Sequence, residues 1–243
     1  MTSKTERTKA RPRRAATAAA RTRPRTRTRR AADEAAQSAP YHHGALRDAL
    51  LEAAERVLER EGLAGLTLRA VAREAGVSHA APTHHFGDLT GLVSELAAIG
   101  FRRFNTAMKA AGDSAATPIA RAMARARAYV GYAQANPGMY GLMFRTERLD
   151  YSRPSLHEAA EASFAGLAGA VAARSPDQIG DESLSLDQAA AIARAWSLVH
   201  GYTMLLLDGR LADILRRLPA GTSAETLLDA MLTAMVPRPP PSA

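Results

Sequence analysis

Residues 67–86 read TLRAVAREAGVSHAAPTHHF, two short apolar-periodic runs on either side of a glycine. Thr67 stands where an N-cap belongs, ahead of a helix that turns Leu68, Val71, Ala72 and Ala75 to one side. Gly76 ends that helix, because a residue without Cβ takes a left-handed turn without steric cost. Ser78 is placed to cap a second helix. Two helices crossing at close range need a small residue at the contact and an apolar plug just after the turn. Ala72 and Val77 meet those needs, and the stretch predicts a helix-turn-helix.

The outward side of this stretch is polar in a way that suits duplex DNA. Ala80 and Ala81 let a backbone come close to a groove, while His79, Thr83, His84 and His85 carry short donors and acceptors fit for base edges or phosphates. Arg69 and Arg73 fall on the outer face of the first helix, with Thr67 and Ser78 at the two helix starts, where phosphate contacts are made. Apart from Ala81, these residues form the expected DNA-contacting set. Pro82 is out of place four positions after Ser78, since it deletes the first i→i+4 bond and crowds the Ser78 carbonyl. It predicts a late or locally 3₁₀ start to the reading helix.

Three imidazoles can also hold Zn²⁺, but adjacent His84 and His85 diverge by about 100° around a helix. No acid or cysteine lies at a spacing that completes a ligand shell, so no metal is expected. Imidazole gains charge as pH falls below neutrality, which predicts tighter phosphate contact in acid.

Outside this stretch helical spacing continues. Leu46, Ala49, Leu50, Ala53, Ala54, Val57 and Leu58 form one stripe that Gly62 stops, and Leu89, Leu92, Val93, Leu96, Gly100, Phe104 and Met108 form a longer one. Thr117-Pro118 and Asn136-Pro137 place proline at a first helical position. Ser155 with Glu158, Ser185 with Gln188, and Thr222 with Glu225 have capping-box spacing. The expectation is an all-α fold of about nine helices with a short extra one near 211–218. The stretch at 175–185, SPDQIGDESLS, is read as a polar loop.

Composition narrows the classes. Of 243 residues 47% are hydrophobic and only 5% aromatic, which favours close-packed helices built on alanine and aliphatic side chains. No cysteine is present, which suits a cytosolic setting, and no apolar run approaches the roughly 20 residues of a membrane span. The net charge of +8 is localised: residues 1–39 hold twelve basic side chains against Glu6, Asp33 and Glu34, leaving the rest near −1. RTRPRTRTRR at 21–30 has nothing apolar to bury and reads as disordered. It is either an arm drawn to phosphates without sequence preference or a solvated extension.

In the second half, Trp196 and His200 lie four apart on one helix face with Val199, Thr203 and Leu207. They read either as core or as a pocket wall, with Met139, Met143 and Phe144, and Met123 and Val130 before them, as adaptable lining. The ligand-binding candidates are Met139, Met143, Phe144, Trp196 and His200. Gly201 and Ala193 offer small surfaces for another helix, and Leu227, Leu228, Met231, Leu232 and Met235 form a terminal apolar stripe.

Residues 44–104, including GVSHAAPTHHFGDLTGL at 76–92, resemble the N-terminal domain of the TetR family of bacterial regulators. Gly76, Val77, Ser78, His85 and Phe86 match that family's pattern, whereas Thr83 stands for its usual tyrosine, Leu89 for its usual lysine and Pro82 for an aliphatic residue. NPGMYGLMF at 136–144 and WSLVHGY at 196–202 resemble the subgroup whose C-terminal domain is named for a Trp-His-Gly signature. The resemblance implies a DNA-binding domain at 44–104 with its motif at 68–87, and a ligand-binding and dimerisation domain at 105–236. The tails at 1–39 and 237–243 lie outside both. It further implies a homodimer bundled through the eighth and ninth helices, a double-stranded palindromic operator, a small-molecule effector that relieves repression, no cofactor, and a place at the nucleoid in the bacterial cytoplasm.

Two other readings compete. A sequence-indifferent nucleic-acid coat protein would rely on the basic tail, and an all-α enzyme would use His200 as a base. The chain carries no nucleophile elbow, Gly-rich phosphate loop or His-Glu metal motif for the latter, so no enzyme is expected.

Overall fold

The computed structural model describes residues 43–173 and 183–235, so the basic tail, most of the polar loop and the Pro-rich end lie outside the described residues. These contain ten α-helices and no strand. The ten are the nine expected plus the short extra one. α1 (His43–Gly65), α2 (Leu68–Glu74) and α3 (Ala80–Phe86) make the N-terminal unit, and α4 (Leu89–Asp113) runs on from it. α5 (Pro118–Ala135), α6 (Pro137–Met143), a 3₁₀ turn (Thr146–Arg148), α7 (Pro154–Ala172), α8 (Leu186–Leu207), α9 (Ala212–Leu215) and α10 (Ala224–Ala234) complete the chain. None of the described helices is long and apolar enough to cross a membrane.

Helix boundaries follow local chemistry with three corrections. Thr67 accepts the Ala70 N–H at 3.1 Å and Ser185 makes the full capping box with Gln188. Thr117 accepts from Ala120 at 3.2 Å with Pro118 in the first turn. Gly62 leaves helical geometry at φ 67°, so α1 is broken there although its hydrogen bonding resumes to Gly65. Ser155, by contrast, caps nothing: α7 begins at Pro154 after Arg153, and the Ser155 hydroxyl reaches Glu95 instead. α10 is capped by Ser223, one residue after Thr222, whose own hydroxyl donates to the Pro219 carbonyl.

The third correction concerns the reading helix. Its N-cap is His79 rather than Ser78, and no side-chain cap bond forms. The Ser78 carbonyl, denied an N–H by Pro82, accepts from Ala81 at 3.1 Å in an i→i+3 bond. The late start moves Pro82 into the first turn, where an N–H would have had no helical acceptor. Proline therefore fits there, buried beneath the helix.

Candidate functional site

In the N-terminal unit the core is closed. Leu50, Val57, Val71 and Ala72 are fully buried, and Val77 packs partly buried against them as the plug of the turn. Gly76 turns the chain at φ 68°. Glu74, at the end of α2, is pinned to α1 by Arg56 and Arg60, each at 2.9 Å. With the inward face fixed, Thr67, Arg69, Arg73, Ser78, His79, Ala80, Thr83 and His84 all stand exposed, and His85 is half-buried. His84 and His85 meet edge to face at 5.4 Å.

The C-terminal half encloses a hollow of about 570 Å³ walled by α4, α5, α7, α8 and α10. Phe104, Tyr129, Phe144 and Trp196 line its aromatic part, and Met108, Ile119, Met123, Val171 and Met235 its aliphatic part. Behind Tyr129 lies a small polar triangle. The Tyr140 hydroxyl is 3.0 Å from that of Tyr129 and 2.8 Å from Nδ1 of His200, which is itself 3.0 Å from the Tyr129 hydroxyl. Burial pushes the Tyr129 phenol up to about 12 and that of Tyr140 further, so both keep their protons. Burial also holds His200 below the ordinary imidazole value, favouring the neutral ring.

Between the two halves lies a joint built on Arg153 and Glu95. Arg153, immediately before α7, donates from Nη2 to the carbonyl of Phe86, the last residue of α3, at 3.1 Å. Its Nη1 is 3.9 Å from Glu95 on α4, and Glu95 also receives Arg47 of α1 at 2.6 Å and the Ser155 hydroxyl at 2.9 Å. Arg47 lies over the Phe86 ring at 5.4 Å. Gly91 makes room for this: a Cβ there would sit 2.0 Å from the Phe86 carbonyl oxygen and 2.4 Å from Arg153 Nη2. The buried Ser94 hydroxyl accepts the Asp150 N–H at 2.9 Å, adding a second tie. α7 thus begins at the reading helix and continues as a wall of the hollow.

Residues 50–96 match the bacterial regulatory proteins of the tetR family, and residues 120–235 match the tetracyclin repressor-like C-terminal domain. The chain belongs to the TetR family. It is accordingly a helix-turn-helix DNA-binding transcription regulator with a C-terminal ligand-binding domain. Among solved structures it is similar to a protein of unknown function from Rhodococcus sp. RHA1, at 35% identity and TM-score 0.65, covering 81% of this chain and 96% of that one. The fold is also that of the TetR family regulator PfmR from Thermus thermophilus, at 19% identity and TM-score 0.53 over 76% and 94% of the two chains. FadR from Bacillus subtilis, solved with stearoyl-CoA, shares it at 14% identity and TM-score 0.55 over 76% and 95%. No curated protein sequence matches the chain.

Against this TetR frame the candidates of the second half separate. Phe144 and Trp196 line the hollow, and Met123 joins them. Met139 and Met143 instead pack in the core against Gly100, whose missing side chain admits their sulfurs, and Val130 is buried with them. His200 stands behind the lining, held by the two tyrosines. Arg125 and Lys109 in the lining, Tyr129 and Tyr140 in the triangle, and Arg153 at the joint are functional candidates that emerge from the fold. Arg125 carried a signal: it interrupts the apolar stripe Ala122–Arg125–Tyr129 of α5 with a charge. Arg153 carried none, because its partners are 58 and 67 residues away.

Proposed function

We propose that this TetR regulator represses transcription by binding a palindromic operator as a homodimer through α3, and that a small molecule entering the hollow releases it. The observation that carries this reading is the single arginine joining the two sites. Arg153 holds the end of the reading helix, and the helix that follows it walls the hollow. An occupant that displaces α7 therefore acts on α3 through this hydrogen bond, in addition to the route through α4, which follows α3 and also walls the hollow.

The exposed set from Thr67 to His84 supports DNA contact, with Arg69 and Arg73 toward phosphates and Thr83, His79 and His84 toward bases. A face of α8 supports the dimer: Leu186, Ala190, Ala193, Met204 and Leu205 are exposed along one side, with Gly201 open between them. Small residues there let a partner helix approach closely. Trp196, His200 and Gly201 support placement in the subgroup with a Trp-His-Gly C-terminal domain. We place the domain boundaries near residue 104 and the protein at the nucleoid in the bacterial cytoplasm, with the basic tail as an accessory to phosphate binding.

Selection of bound fragments from random duplex DNA by the full chain tests this. The expected product is a palindrome with half-sites about 34 Å apart or a multiple of that. Recovery of sequence-indifferent binding that disappears with residues 1–39 would instead make it a coat protein.

A further inference from the structure

We infer that the hollow takes an amphiphilic anion, an apolar body with one carboxylate- or phosphate-type head, and that Arg125 with Lys109 receives the head. This rests on the reading of the hollow as the effector site and names the chemistry of the effector. Among the described residues, the charged side chains lining the hollow are Lys109 and Arg125, and no described aspartate or glutamate lines it. A cationic effector would find no carboxylate in that described lining, and Asp113 beside it is already bound by Lys109.

Arg125 is half-buried on the inward stripe of α5, its guanidinium lying over the backbone of Gly112. A Cβ at Gly112 would fall 2.3 Å from its Nε, so the guanidinium occupies the space that this glycine leaves open. No acceptor among the described residues bonds it, although a guanidinium is a fork of N–H donors that matches carboxylate or phosphate with two parallel bonds. Half withdrawn from water, those donors gain most from an anion.

The surroundings are already positive. Asp113, exposed at the end of α4, is bound by Lys109 at 2.6 Å. Its carboxyl is held below the ordinary value by Lys109 first, with Arg125 and Arg121 adding to the pull. Three cations thus surround one carboxylate. Of the other polar groups of the lining, Ser163 donates to Asn105 at 2.6 Å, and Asn105 donates to the Ala159 carbonyl at 3.1 Å. With those satisfied, the body of the occupant meets chiefly aromatic, methionine and aliphatic side chains.

Trp196, the only tryptophan, lines the hollow at 42% exposure and reports its occupancy by fluorescence. The full chain is titrated near neutral pH with decanoate and decyltrimethylammonium below their micelle concentrations and with decanol below its solubility limit. Decanoate is expected to bind saturably and roughly tenfold more tightly than decanol, with the ammonium weakest. Arg125→Gln is expected to reduce decanoate to the level of decanol without changing decanol itself, and Lys109→Met to act in the same direction more weakly. Equal binding of decanoate and decanol, or tightest binding of the ammonium, overturns the anion assignment while leaving the hollow as an effector site. An advantage of decanoate that survives both substitutions overturns the placement of the head. No saturable response to any of the three overturns the effector site as well. The three-probe comparison on the unaltered chain decides the class even if a variant does not fold.

Discussion

Leu50, Val57, Val71 and Ala72 of the reading unit are wholly out of water and Phe86 is 3% exposed, whereas Phe164 and Trp196 of the sensing half stay 44% and 42% exposed. Both regions are built from amphipathic helices with the same spacing of apolar residues. They differ in whether facing side chains fill the space between the helices. A reading helix must be held at one angle, and close packing does that. A sensing domain must leave volume unfilled, so that an occupant adds burial that the empty protein lacks and biases one conformation.

The largest expected effect separates the two halves directly. Phe86→Ala should cost about 3–5 kcal/mol of folding stability, because it empties a closed core and removes the ring beneath Arg47. Phe164→Ala should cost less than about 1 kcal/mol, since its ring borders open volume. Denaturant unfolding of both variants checks the contrast, and equal losses would erase it.

A smaller effect sharpens the connection between the regions. Arg153→Met keeps the apolar stem but removes the donor to the Phe86 carbonyl and the cation facing Glu95. Stability should fall by about 1–2 kcal/mol. Operator affinity should fall further than stability alone explains, because the end of α3 is freed. Affinity unchanged in a folded variant would remove Arg153 from the coupling route.

The smallest effect is a pH dependence. His200 is held neutral in the fold, below the ordinary value of 6.5, so the unfolded chain takes up its proton first as pH falls through that value. Folding stability should then decline with falling pH below 6.5, and His200→Gln should decline less over the same interval. Melting temperatures of the two proteins across that range measure it; parallel curves would exclude a contribution from His200.

These contrasts also mark what the chain discloses before it folds. The reading unit was legible because its chemistry is local: Thr67 caps the next turn, Gly76 supplies one dihedral, and Pro82 removes one N–H whose absence shifts a helix start. The sensing half was legible as helices but not as a hollow. Whether Met139 or Met123 faces open space depends on how α4, α5 and α7 pack, and the spacing of apolar residues is the same in either case. The misplaced caps have the same origin. Ser155 has capping-box spacing yet spends its hydroxyl on Glu95, a partner that only the tertiary fold brings near.

The central claim is that two copies of the chain present α3 in a symmetric pair whose separation DNA selects. Because the chain has no cysteine, Glu52→Cys on the exposed face of α1 gives one labelling site per subunit. Double electron–electron resonance on the spin-labelled full chain, free and bound to its selected operator, reads the distance between the two reading units. The account predicts intersubunit coupling in both states, with a broad distribution in the free protein that collapses to a single narrow one on DNA. Absence of coupling, or a distribution that DNA leaves unchanged, would contradict it.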